Sequence, residues 1–160
     1  MALQRLSIAL AALWWGGITA LSFLAVPLLF TTLGSPAAAG PVAARIFSLQ
    51  CWAGLTLGLL LLLILRRQRR AAFFLPAGAP PGQADKLLWM QHMLATIGFV
   101  LLGMLLALLQ EFGVAQNIMS ARATGGDLRL WHTLGSVLVL GQWLCAGAVL
   151  WRLTRFKALR

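Results

Sequence analysis

The sequence predicts an all-α integral membrane protein: a single bundle of four transmembrane helices spanning residues 1–160, with both termini in the cytoplasm. Three observations predict it. Of 160 residues, 61% are hydrophobic and 10% charged, against roughly 25% charged in a soluble domain. Four apolar runs reach the about 20 residues that a helix needs to cross a bilayer core. The 13 Lys and Arg, set against 3 Asp and Glu, cluster beside those runs. There is too little polar surface to cover a water-exposed globule, which excludes a soluble enzyme and a disordered tail.

The first run is Leu6 to Phe30. Arg5 precedes it, and Ala37 and Ala39 offer a small-residue cleavage pattern. Its apolar stretch exceeds the about 7–15 residues of a signal peptide, so it reads as a retained span. Trp14 and Trp15 lie about 12 Å beyond Leu6 at the helical rise, too deep for an interfacial belt, and are expected between helices. Pro27 removes one helix hydrogen bond and predicts a kink. The second run is Ile46 to Leu65, including Leu59-Leu60-Leu61-Leu62-Leu63. The third is Leu87 to Leu109 and the fourth Leu130 to Leu150. Helices satisfy every backbone group within lipid. No strand alternation competes, so a barrel is not expected.

The connections are short. Thr31 to Ala44, with Gly34, Pro36, Gly40 and Pro41, and Gln110 to Arg129 read as outer loops. Arg66 to Lys86 reads as an inner loop, opening with Arg66-Arg67-Gln68-Arg69-Arg70. An N-in arrangement puts Arg5, Arg66, Arg67, Arg69, Arg70, Lys86, Arg152, Arg155, Lys157 and Arg160 inside, and only Arg45, Arg122 and Arg129 outside. The positive-inside rule therefore sets the orientation, in a bacterial inner membrane. The formal charge of +10 does not point to nucleic acid, since no basic face on a soluble part exists to carry it. It marks topology and anchors anionic lipids at the cytoplasmic face. Two hairpins of similar length carry no strong sequence repeat.

Lipid supplies no hydrophobic drive between helices, so small residues mark close approach. These are Gly16 and Ala20 in the first span, Gly54 and Gly58 in the second, and Gly141 and Cys145 in the fourth. The Gly54–Gly58 pair fits packing within the bundle. It also fits the seam of a homodimer or a docking face for a larger membrane complex. Trp89 and Trp151 read as belt residues at the inner boundary and Trp131 at the outer one.

Polar groups in or beside a span are costly and so are the natural site candidates. The richer cluster is outer. Arg45 opens the second span, with Ser48 and Trp52 on its face and Gln50 turned away. Gln110 and Glu111 close the third span, and His132 and Ser136 sit four apart at the start of the fourth. Arg45, Glu111, His132 and Ser136 are the candidate ligand-binding residues of an outer-facing polar pocket for a small ligand or ion. Arg45 would supply fixed charge, and His132 a donor or acceptor switchable near neutrality. The same residues also fit a structural cap in which Glu111 pairs with Arg45 or Arg129. An inner cluster of Asp85, Lys86, Gln91, His92 and Thr96 reads as helix capping and anchoring.

Other chemistries are weaker. A metal, copper above all, would draw on His132, Cys51 and Met119, whose soft sulfurs suit Cu(I). No HxxxH or CxxC supports it. His92 and His132 differ by roughly 15–20 Å in depth across a core of about 30 Å, which disfavours one bis-histidine haem. A single-histidine haem stays open, and the cofactor is unassigned. No acid lies at mid-depth, against a proton-coupled exporter. With three acids and no Ser-His-Asp arrangement, enzymatic activity is not expected.

Trp15-Gly16-Gly17, Val26-Pro27-Leu28-Leu29-Phe30, Ala39-Gly40-Pro41-Val42-Ala43-Ala44-Arg45-Ile46-Phe47 and Trp131-His132-Thr133-Leu134-Gly135-Ser136 together resemble the bacterial membrane family called domain of unknown function 4149. That family is similar to the eukaryotic transmembrane protein 205. The resemblance extends over nearly the whole chain. It implies a four-span protein whose family assigns no biochemical activity, and it places Arg45, Phe47, His132 and Ser136 on motif positions. The family's proline after the third span is missing here. A looser likeness, on Trp15-Gly16-Gly17 and Pro27, is to the membrane part of copper resistance protein D, without its ligand-rich segments.

Overall fold

A computed structural model describes residues 2–73, 83–118, 120 and 125–155, with side chains described except at 71–73 and 83–86. The chain forms α1 (Ala2–Ile18), a π-helical segment (Thr19–Ala25), α2 (Val26–Leu33), α3 (Pro36–Phe73), α4 (Gln83–Leu108), a second π-helical segment (Leu109–Ala115) and α5 (Leu128–Arg155). Four helical stretches are long and apolar enough to cross a membrane: Ala2–Leu33, Pro36–Arg70, Leu87–Ile118 and Leu128–Arg155. All four extend beyond the apolar runs read from sequence. No strand occurs among the described residues. The spans run up and down around a square, with α1 and α4 each packed on both α3 and α5. One end of the bundle carries the 34–35 connection and the start of α5 (the turn end), and the other carries the start of α1 and the last described turn of α5 (the termini end).

The first connection is far shorter than a Pro- and Gly-rich stretch suggests. Gly34, at φ 63°, ends α2 in the left-handed region that glycine adopts without strain. Ser35 then caps α3, its Oγ accepting the Ala38 N–H at 3.3 Å. Pro36 follows as the first helical residue, where no N–H is needed. Gly40 and Pro41, expected in a loop, are helical. These residues are start signals for a helix as much as breakers, and here the cap decides. At the far connection Asp127 Oδ1 accepts the Leu130 N–H at 3.1 Å and caps α5.

The kink expected at Pro27 takes the form of a π-helical segment just before it. The Val26 N–H bonds the Leu21 carbonyl, five residues back. A proline crowds the carbonyl four residues before it, and the wider turn makes room. The third span has a π segment of the same seven-residue length, with no proline after it.

Tryptophan against glycine fills the centre. The inward stripe of α1 is Ser7, Ala11, Trp14 and Ile18, spaced for one helical face. Trp14 is 3% exposed. A Cβ added at Gly54 on α3 would stand 3.0 Å from its Nε1, and one at Gly103 on α4 3.0 Å from its Cζ-side ring edge, at Cη2. Trp15 lies on Gly147 of α5 in the same way, at 3.0 Å. Gly58 faces Met104 and Gly141 faces Leu106. Gly54 and Gly58 are thus both buried inside the bundle, and their surface is spent on its own packing. Gly16 lies off the inward stripe, with nothing within 4 Å of an added Cβ, and Ala20 is exposed. Trp89 is a core residue rather than a belt residue, 7% exposed, whereas Trp151 is 58% exposed.

Gly103→Leu should therefore lower unfolding stability in detergent by about 1–3 kcal/mol, the usual effect of overpacking a filled core. Gly16→Ala should change it by less than about 0.5 kcal/mol. Equal losses at the two positions would show that Trp14 does not depend on the space those glycines leave.

Candidate functional site

At the level of the two π segments, each pair of neighbouring spans is joined by one hydrogen bond between two side chains. Ser22 Oγ donates to Gln50 Oε1 at 2.8 Å, tying the first span to α3. Ser48 Oγ donates to Glu111 Oε1 at 2.7 Å, tying α3 to the third span. Gln142 Nε2 donates to Gln110 Oε1 at 2.5 Å, tying the third span to α5. Trp143 Nε1 donates to Thr19 Oγ1 at 2.9 Å and closes the ring back to the first span. The Thr19 hydroxyl itself donates to the Trp15 carbonyl at 2.8 Å.

The polar groups of this ring are well shielded. Gln50 and Gln142 are 5% and 3% exposed, so each needs a protein partner. Trp143 is wedged by a tilted contact with Trp15, centroids 5.5 Å apart, and an edge contact with Phe23 at 5.9 Å. Gln50 lies about 8 Å along α3 from Arg45, well inside the helix. The Cys51 thiol donates to the Ala107 carbonyl at 3.4 Å, beneath the Ser48–Glu111 pair.

Glu111 carries the ring's formal charge. It is partly exposed. Ser48 occupies one carboxylate oxygen; among the described residues the other has no partner and no basic side chain forms an ion pair with it. Trp52, one turn along α3 from Ser48, and Phe112, next to Glu111 in sequence, meet edge to face with centroids 6.5 Å apart.

No side-chain to side-chain hydrogen bond joins any two of the four residues expected to form the pocket. Arg45 is exposed, one turn nearer the turn end than Ser48. His132 is exposed, and the Ser136 hydroxyl donates back to the His132 carbonyl at 3.0 Å. Both stand on the part of α5 that meets the second π segment, where Gly135 faces Val114. The partner expected for Glu111, Arg45 or Arg129, is replaced by Ser48. Gln50 is turned from Ser48's face as its spacing implies, and bonds the first span. Met119 and Arg122 lie outside the described residues, as do the side chains of Asp85 and Lys86. No group of three His, Cys, Asp or Glu that could hold a metal occurs among the described residues.

Sequence reasoning passed over Thr19, Ser22, Gln142 and Trp143 as site residues. Their signal is present: each is a hydroxyl, amide or indole within an apolar run. It is visible only once the neighbouring helix is known.

The termini end holds a second polar device. Arg152 Nε donates to Thr96 Oγ1 at 3.1 Å. Its Nη2 donates to the His92 carbonyl at 3.1 Å and reaches His92 Nδ1 at 3.2 Å. A guanidinium only donates, so Nδ1 accepts and the imidazole proton sits on Nε2, which donates to the Arg152 carbonyl at 3.2 Å. The imidazole is neutral in this arrangement. The two residues clasp α4 to α5 in both directions. Arg152, read from sequence only as a topology charge, is a structural partner of His92 and Thr96. His92 and His132 lie towards opposite ends of the bundle, as their separation in depth requires.

A family model described as Domain of unknown function (DUF4149) matches residues 9–127. It covers both π segments, Arg45, Ser48 and Glu111. It stops short of α5, so His132, Ser136, Gln142 and Arg152 fall outside the matched segment, which is shorter than the resemblance read from sequence. No curated protein and no solved structure matches the chain. With a match over most of its length, the chain belongs to the family Domain of unknown function (DUF4149).

Proposed function

We propose that this multi-pass membrane protein is a binding protein rather than an enzyme, holding a small ligand or ion on the Glu111 carboxylate at the turn end of the bundle. The observation that carries the reading is the half-satisfied carboxylate: Ser48 bonds one oxygen, and the second has no partner among the described residues. An acid within a span is costly unless it is paired or working. An oxygen in that position accepts a cation or an N–H or O–H donor, so the ligand class is a small monovalent cation or a protonated amine.

The surrounding groups have definite roles in this reading. Ser48 orients the carboxylate. Trp52 and Phe112 give apolar walls to an amine's carbon atoms. Arg45 and His132, both exposed, form the rim of the site. The excess of basic residues at the other end supports a turn end outside the cytoplasm, and in this reading, in the inner membrane of a bacterium, the ligand enters from the outer side.

Titrating the detergent-solubilised protein with methylammonium and, separately, sodium should raise its unfolding temperature saturably for at least one of them, as linkage demands of any ligand that binds only the folded state. Glu111→Gln, nearly the same shape and still able to accept from Ser48, should abolish the rise. A Glu111→Gln protein that responds like the parent would overturn the proposal. His132→Ala should leave the fold intact and weaken binding by less than tenfold, a rim effect; complete loss would move the centre of the site to His132.

A further inference from the structure

The last described turn of α5 carries arginine donors that have no hydrogen-bond partner among the described residues. The Arg155 guanidinium lies over the ring of the exposed Trp151, its Cζ 3.7 Å from the ring centroid. A stacked guanidinium keeps its planar fork of N–H groups open at the edge. Arg152 is one turn back and adjacent on the helix surface. It spends Nε and Nη2 on Thr96 and His92, and its Nη1 has no bond among the described residues. A third donor lies at the same end. The indole Nε1 of Trp89 is buried, with no hydrogen-bond partner among the described residues. Trp89 is one turn nearer the termini end than His92, and because α4 and α5 are antiparallel it is level with the last described turn of α5.

What surrounds these donors is lopsided. Arg66, Arg67, Arg69 and Arg70 are exposed at the same end of α3. Along α5, Leu140, Leu144 and Trp151 are each about half exposed or more, and their spacing sets them in one stripe that ends at Arg155. Cationic forks at the head of an apolar track match a molecule with an anionic oxygen cluster and a hydrocarbon chain.

We propose that the end of α5 is a binding site for an anionic phospholipid. Arg155 forks the phosphate oxygens, Arg152 Nη1 donates from the α4 side, and the Leu140–Leu144–Trp151 stripe beds one acyl chain. The phosphate chemistry alone would also suit a soluble phosphate ester. The apolar track is what selects the lipid. This site is separate from Glu111 and does not depend on the reading given to that residue.

The test is native mass spectrometry of the full chain in a neutral detergent, with phosphatidylglycerol and phosphatidylcholine of equal chain length. The protein should retain phosphatidylglycerol at least tenfold better. Arg155→Gln should lower that retention about tenfold, as loss of a charge-assisted bidentate contact does. Trp151→Leu should lower it too, and Arg155→Lys should restore it only in part. Arg66→Gln should have a smaller effect than Arg155→Gln. Equal losses at Arg66 and Arg155 would mean diffuse attraction and overturn the site, as would full retention by Arg155→Gln or full restoration by Arg155→Lys. Displacement of the lipid by glycerol phosphate at matched concentration would overturn the choice of a lipid occupant.

Discussion

In hydrocarbon a hydroxyl or an amide has nothing to bond except another part of the protein. That constraint organises this bundle. Hydroxyls can bond back to their own helix, as Thr19 does, but the amides and the indole at the π level reach across to a neighbour, and the four side-chain pairs there join each neighbouring pair of spans once. Apolar packing against lipid is nearly indifferent to which helix lies next to which, since lipid tails are as apolar as leucine. Hydrogen bonds of this kind are not indifferent. Each contributes about 0.6 kcal/mol on average in a membrane, a modest energy, but a wrong neighbour leaves both members unpaired. The ring therefore acts on helix order more than on raw stability, with Trp14 and its facing glycines setting how closely the ordered helices approach.

The two hairpins follow one plan. Each begins with a span interrupted by a seven-residue π segment. In each, a side chain on that segment bonds a glutamine on the partner span: Ser22 with Gln50, and Gln110 with Gln142. The bonds between hairpins, Ser48 with Glu111 and Trp143 with Thr19, use other residue types. It is in these that the halves diverge, and one of them places a carboxylate in the ring. Parallel repeats with interrupted helices at their interface are a recurrent way to build a polar site inside a membrane.

Number and type of the spans were legible because they rest on composition and run length, which leave no competing fold. The depth of Trp14 was legible by the same arithmetic, and so was the divergence of Gln50 from the Ser48 face. Three things were not. The start of α3 was hidden because Gly34, Ser35 and Pro36 signal both a loop and a helix cap, and the Ser35–Ala38 bond appears only in three dimensions. The pocket grouping of Arg45, Glu111, His132 and Ser136 was built from depth alone. Depth does not fix which way a side chain faces, and Ser136 turns back on its own helix. Trp89 was assigned to the interface from its position near a span end, whereas helical phase carries it inward with Met93, Thr96 and Val100.

The length of α3 has its own consequence. Its 38 residues measure about 57 Å, while a hydrocarbon core is about 30 Å thick. Within that rod Arg45 and Arg66 stand about 31 Å apart, and the stretch between them carries no charge. The helix cannot slide in either direction without drawing a guanidinium into oil. The protein is thus gauged to one bilayer thickness: in a thinner membrane it must tilt, and in a thicker one it must pinch the lipid around it. Every side chain on the other three spans, packed against this fixed rod, inherits its depth from those two arginines.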